Sequence, residues 1–237
     1  MHSALVRLQN VFGFFTTVAS CIAILIAFSS FTSPQTPSAS LKLRNVQVVK
    51  GRPHYYSSKK EEYAHIKFDL DTDLSSLFNW NTKQVFLYIK ATYPPTSPSE
   101  PRTEAILWDA ILAGPIQPPH HNHWDPHAST KSRRSKSPPK SPSTKPPGIF
   151  KLANQRPKYQ ITDPSGRIAA QANATLELAW NVQPWVGALT WSRDADFGVW
   201  KKLKGGRTKA FTFPALKEKG EGLGTAKGGE GNRGKPA

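Results

Sequence analysis

At 237 residues the chain has room for one or two small domains, but 21 prolines and 16 glycines, most of them in a central stretch and the C-terminal tail, leave apolar material for a single core. The lone cysteine, Cys21, excludes an intramolecular disulfide in any compartment. The net charge of +16 gathers in two stretches, residues 126–162 with nine basic residues and no acid and residues 201–237 with ten against three; both read as solvated and flexible, and the balanced remainder is no intrinsic polyanion binder.

Residues 1–10 are short and polar enough to stay outside a bilayer, with Arg7 the one charge. Residues 11–31, VFGFFTTVASCIAILIAFSSF, carry no charge and match the ~20 residues that a hydrocarbon core requires. Thr16, Thr17 and Ser20 fit there, because a hydroxyl bonds back to a carbonyl one turn earlier, and Cys21 reads as a small apolar residue facing lipid or another helix. A cleavable signal peptide is the competing reading, with Ser38-Ala39-Ser40 as a small-residue cleavage site. The run exceeds the ~7–15 residues usual for a signal-peptide core, so an uncleaved anchor fits better. Arg7 favours a cytosolic N-terminus, and long domains translocate largely regardless of charge, which sets the remainder in the lumen.

Pro34 and Pro37 make residues 32–40 a linker, and residues 41–214 then read as one domain. Leu41, Leu43, Val46 and Val48 alternate imperfectly, as a strand with a bulge does. Ala64, Ile66, Phe68 and Leu70 alternate cleanly with polar residues, leaving His65 on the wet face. Asp73 can cap a helical turn through Leu74, Leu77 and Phe78. Val85 to Ile89 is continuously apolar, as in a central strand covered on both faces. Ala105 to Leu112 makes another strand with Trp108 and Asp109 in its middle; Leu176, Leu178, Trp180 and Val182 alternate up to Pro184. Gly187 to Trp191 and Phe211 to Phe213 are weaker strand candidates. Short strands, frequent turn residues and almost no helical periodicity predict an all-β domain, an antiparallel sandwich behind a single transmembrane helix. Residues 117–147 read as a disordered insertion and 215–237 as a disordered Gly/Lys-rich tail.

Candidate chemistry is sparse. Asn173-Ala174-Thr175 is the only N-x-[ST] triplet, which makes Asn173 a glycan acceptor if the domain is lumenal. His120, His121, His123 and His127 are dense enough for a transition metal, but rigid ligands with supporting partners are what a site needs, and Pro-rich flexible sequence favours a plain insertion. Ser-Pro pairs at Ser137 and Ser141 would be hidden from cytosolic kinases. Neither G-x-S-x-G nor H-E-x-x-H occurs, and Ser58 beside Lys59 would point to the opposite face of a strand. No catalytic, cofactor or metal residues are assigned. Trp80, Trp108 and Trp180 fall in strand-like segments and read as core, whereas Trp185, Trp191 and Trp200 include candidates for a partner or a membrane interface.

Three blocks carry a resemblance. Leu77-Phe78-Asn79-Trp80-Asn81-Thr82-Lys83-Gln84-Val85-Phe86-Leu87-Tyr88 is similar to an F-[DN]-W-N-x-K-Q-x-F-[LV]-Y signature, Trp108-Asp109-Ala110-Ile111 to a W-D-x-I block, and Asn173 to Pro184 to N-x-T-L-x-L-x-W-N-x-x-P. With the anchor before them, their order resembles the signal peptidase complex subunit 3 family. The resemblance implies structural motif roles for Trp80, Asn81, Lys83, Gln84, Trp108, Asp109, Trp180, Asn181 and Pro184, and a glycan on Asn173. It further implies a type II protein of the endoplasmic-reticulum membrane, without cofactor or catalytic residues, that helps to hold a catalytic serine-protease subunit and its substrate in position. The implied partners are the catalytic and other accessory subunits, membrane lipid and, indirectly, nascent signal peptides, but no nucleic acid. A basic nucleic-acid-binding or secreted protein acting through the Lys/Arg stretches is the alternative; it requires the apolar N-terminus to be absent and binding to vanish with those stretches.

Overall fold

The computed structural model describes residues 3–52, 56, 58–95, 101–116, 123–125 and 146–216. One helix, α1 (Ala4–Thr32), precedes two β-sheets packed face to face. Ser3 caps α1 by accepting from Val6 N, and the helix extends beyond the uncharged run at its start to take in Arg7. Thr16 and Thr17 Oγ1 donate to the Gly13 carbonyl at 2.9 Å, and Ser20 Oγ to that of Thr16 at 2.8 Å. The polar residues of the span are therefore satisfied inside the helix, and none of its side chains is buried.

The first sheet is built on β1 (Ser38–Gly51) and β2 (Glu61–Asp73), paired antiparallel along their length with a register shift between Leu43 and Asn45, at the expected irregularity. β5 (Ile149–Gln155) and the two-residue β6 (Ile161–Thr162) pair with β2, and β9 (Lys204–Gly205) runs parallel to β1. The second sheet has the order β4-β3-β7-β8, from β3 (Thr82–Tyr93), β4 (Thr103–Ala113), β7 (Thr175–Pro184) and β8 (Thr190–Trp191). The period-2 pattern dictates which face goes inside: Ala64, Ile66, Phe68 and Leu70 of β2 meet Val85, Leu87 and Ile89 of β3 and Leu176, Leu178, Trp180 and Val182 of β7 in one core. Asp73 accepts from Ser75 N and introduces the 3-10 turn Ser75–Leu77.

Several expectations need correction. β3 is central, but only one face is fully buried; Phe86 and Tyr88 stack half-buried on the other at 5.5 Å. The linker is shorter than residues 32–40, because Ser38, Ala39 and Ser40 already lie in the β1 ladder. The first basic stretch is not all flexible: β5 lies inside it, Lys151 pairs with Asp71 at 2.8 Å and Lys158 with Asp109 at 3.0 Å. Nor is the second, where Phe211 bridges Ala174 and Phe213 is 1 % exposed. Ile149-Phe150 was hidden by the Pro/Lys composition around it, because two apolar residues are too few to show a period.

The insertion is corrected as well. Trp124 packs against the core, edge-on to Trp108 at 5.6 Å and to Phe150 at 5.0 Å, while its backbone N–H donates to the Ile111 carbonyl at 2.8 Å. Residues 117–122 and 126–145, with His120, His121 and His127, and the tail from 217 onward lie outside the described residues. Deleting residues 126–145 should leave the melting temperature of the detergent-solubilised chain nearly unchanged, since loop closure depends only weakly on length. Trp124→Ala should cost about 2 kcal/mol, because it empties a half-buried aromatic site. Equal melting of the Trp124→Ala and parent proteins would remove that anchor from the core.

Candidate functional site

The strands place their ends so that α1 enters at one end of the sandwich. Ser38 opposes Asp73, Asp73 opposes Ile149, Thr82 opposes Pro184 and Gln84 opposes Ala113, so all these termini gather at the helix end. The other end carries Gly51, Tyr93, Thr103 and Thr175. Thr82 and Thr92 are separated by ten residues of strand, ~33 Å at the usual rise.

Asn81 is the centre of the junction and is 1 % exposed. Its Nδ2 donates to Ser30 Oγ of α1 at 2.8 Å and to the Val186 carbonyl at 2.7 Å, and its Oδ1 accepts from Val186 N at 3.1 Å. Its own carbonyl accepts from Trp185 N at 2.8 Å. One amide thus ties the last turn of the helix to the turn before β3 and to the loop after β7. The preceding turn is fixed by Thr82, whose Oγ1 accepts from Asn79 N at 3.0 Å, while Asn79 Oδ1 accepts from Asn81 N at 3.0 Å. A side-chain amide suits this position because it supplies donor and acceptor together in a place where water is excluded.

A second latch forms at the next residue of the helix. Phe31 stacks on Trp200 with centroids 5.1 Å apart and planes 14° from parallel, and Trp200 Nε1 donates to the Ser33 carbonyl at 3.1 Å. Gln35 continues this by accepting from Lys201 N at 2.8 Å and donating its N–H to Val199 at 3.2 Å. Asp196 accepts from Lys202 N at 2.8 Å and pairs with Lys201, which together hold its carboxyl below the usual range, the backbone bond contributing most. This loop clamp is present at neutral pH and is lost only as pH falls through that depressed value. Gly187 completes the fit: its φ is +123°, and a Cβ there would meet Ala27 Cβ at 3.2 Å. The space left between helix and sandwich is about 20 Å³, room for a water at most. The junction is a packed joint and not a ligand pocket.

Other motif residues divide between core and surface. Trp108 and Trp180 are buried, at 2 % and 4 % exposure. Trp80 is not: it lies in the turn before β3 and is 53 % exposed, because the backbone turns Asn81 inward and its neighbour outward. Lys83 Nζ sits 5.4 Å above the Trp185 ring, and Asp109 pairs with Lys158. Gln84 Nε2 donates to Gln183 Oε1 at 2.6 Å, and its Oε1 lies 3.2 Å from His123 Nε2. Asn181 is buried under β8, with Nδ2 directed at the Thr190 carbonyl at 3.4 Å, and Pro184 ends β7 opposite Thr82. Asn173 is exposed at the far end with φ 60°, and its carbonyl accepts from Arg102 at 3.0 Å. Sequence reasoning missed Ser30, Gln35, Val186 and Gly187; of these only a glycine shortly after a strand-ending proline gave any signal. Among the described residues no group of His, Cys, Asp and Glu is arranged to hold a metal.

Asn81→Ala should leave Val186 N and its carbonyl without their partner and cost about 2–3 kcal/mol. The expected readout is faster hydrogen exchange at residues 185–189 and easier proteolysis between α1 and β1 in the intact chain. Unchanged exchange there would show that the amide is not what holds the joint.

The model of the signal peptidase subunit family matches residues 1–124 and 143–200, which takes in the helix, the joint and Trp124 and leaves out only part of the insertion and the chain after Trp200. The chain is 31 % identical over 209 residues to signal peptidase complex subunit 3 of Yarrowia lipolytica, covering 84 % of this chain and 96 % of the relative. It is 30 % identical to that of Saccharomyces cerevisiae, over 81 % of this chain and 91 % of the relative, and 26 % identical to that of Drosophila melanogaster, over 80 % and 88 %. With the match running through every block that builds the joint, the chain belongs to the signal peptidase subunit family.

Proposed function

We infer that the chain acts as a strut that fixes the position of its partner subunits against the bilayer. It is an accessory, non-catalytic subunit of the signal peptidase complex. The observation that carries the strut reading is the joint itself: Asn81 holds Ser30 while Trp200 holds Phe31 and Ser33 at the end of α1, so the sandwich cannot swivel freely on its anchor. A rigid domain held at a set height above the membrane offers a surface against which the catalytic subunit, which brings the serine-protease chemistry, is aligned with its membrane-embedded substrate. The other accessory subunits meet the same chain, and signal peptides are served only through these partners.

The N-terminus faces the cytosol and the sandwich the lumen of the endoplasmic reticulum, in keeping with Arg7 before the span and the long domain after it. Nucleic acid is not among the partners, since part of the basic excess is engaged in ion pairs on the sheet, Lys151 with Asp71 and Lys158 with Asp109. Co-purification in mild detergent tests the assignment: the chain should bring down a signal peptidase catalytic subunit, and Asn81→Ala should weaken the pairing. A chain that purifies alone at native abundance would refute the strut.

The same orientation makes Asn173 a glycan acceptor, ~33 Å from the joint along the strands, where a sugar cannot obstruct the membrane. Thr175 Oγ1 is buried, so the triplet is read before β7 closes. Endoglycosidase should increase gel mobility of the native chain and leave Asn173→Gln unchanged; equal mobility in both would reject a lumenal glycan.

A further inference from the structure

The loop that grips the helix also exposes a set of large apolar side chains. Trp80, Trp185 and Leu189 are 53 %, 50 % and 55 % exposed, and Phe197 and Val199 are 60 % and 48 %. Singly these would need no explanation, but here they surround one place, the end of an apolar span.

Height decides what covers them. The apolar run of α1 starts at Val11, so ~20 residues of hydrocarbon-spanning helix end near Ser30, with Ala27 one turn inside. A Cβ on Gly187 would touch Ala27, and Asn81, next to Trp80, bonds to Ser30. Leu189, Trp80 and Trp185 therefore sit at the boundary of the hydrocarbon core, where the joint leaves them no freedom to rise. Phe197 and Val199 sit one step higher: Val199 bonds Gln35, three residues beyond the helix, and headgroups occupy the ~6 Å outside the core on each side. Cations lie over this aromatic layer, Lys83 above Trp185 at 5.4 Å and Arg193 above Phe197 at 4.8 Å. Aromatic rings at headgroup level with Lys and Arg beside them is the composition of a membrane interface.

We propose that the 185–200 loop and the turn at Trp80 are immersed in the membrane leaflet on the sandwich side, docking the domain on lipid as a second attachment beside α1. The occupant is the phospholipid surface, its acyl region meeting Leu189, Trp80 and Trp185 and its phosphates meeting Lys83 and Arg193. The inference rests on α1 spanning the membrane. Lipid contact on one flank of the helix fixes the tilt of the sandwich, which a single helix end does not.

The test uses the full chain with Cys21→Ser, carrying one cysteine at a time and reconstituted alone in vesicles of phosphatidylcholine with phosphatidylinositol. Leu189→Cys and Trp185→Cys should react with a membrane-impermeant maleimide about tenfold more slowly than Tyr159→Cys, an exposed site beyond the middle of the sandwich. A bimane label at either position should be quenched by brominated lipid, and one at Tyr159→Cys should not. Labelling of both loop positions as fast as Tyr159→Cys, or slow labelling without bromolipid quenching, would show a free or protein-covered surface and overturn the docking. Val18→Cys separates the two layers of the argument: quenching there but not in the loop rejects the docking alone, and absence of quenching at both rejects the spanning helix with it.

Discussion

Cells depleted of this protein should accumulate membrane-associated precursors with uncleaved signal peptides, although the catalytic residues lie in another subunit. Displacing a scissile bond by ~1 Å from its attacking group can cost on the order of 100-fold in rate, and a subunit that sets the height and tilt of its partner controls distances of that size. Pulse-labelling of a secreted reporter reads the effect as a lasting precursor band. The strut reading further requires that the chain contribute no chemistry of its own: Ser58→Ala and Lys59→Ala should restore processing in depleted cells as fully as the native chain. If either variant assembled normally and left precursors uncleaved, the non-catalytic assignment would have to be withdrawn.

Trp180→Ala should be the most damaging single substitution in the sandwich, with a cost of ~3–5 kcal/mol. Trp180 is 4 % exposed, opposes Leu87 across the β3–β7 ladder and belongs to the one core that both sheets share. Its removal leaves a cavity that rigid β-strands close poorly, and the loss is comparable to much of a small domain's ~5–15 kcal/mol. Steady-state abundance in cells and protease resistance in detergent should both drop. Trp80→Ala is the paired control, since Trp80 is half in solvent or lipid and its loss should change stability by only ~0.5 kcal/mol. Equal damage from the two substitutions would show that the Trp80 ring is packed in the folded protein.

That contrast also marks how far residue patterns reach. Residue patterns put both tryptophans in the core, because each falls in a strand-like segment. For Trp180 the period-2 alternation of Leu176, Leu178 and Val182 fixes the direction of the side chain within its own strand. Trp80 has no such register, since it belongs to a turn whose direction is set by Asn81 bonding to Ser30 and Val186.

The sequence by itself determined the anchor and the sheet pattern. An uncharged run of bilayer length has one low-energy solution as a helix, and its hydroxyls are satisfied within a turn of their own positions. Alternation in β2 and β7 likewise states locally which face is wet, and the bulge in β1 appears where the alternation slips. Only the tertiary structure decided what the most distinctive block is for. The partners of Asn81 lie 51 and 105 residues away in the chain, and Trp200 reaches back 167 residues to Ser33. Ile149-Phe150 and Trp124 found their places in the same way, by meeting Asp73, Thr72 and Trp108 across the fold. Hydrophobic periodicity is a property of neighbours along the chain, whereas a buried amide or a docked ring is defined by the groups that the fold brings around it, and no local pattern encodes their distance.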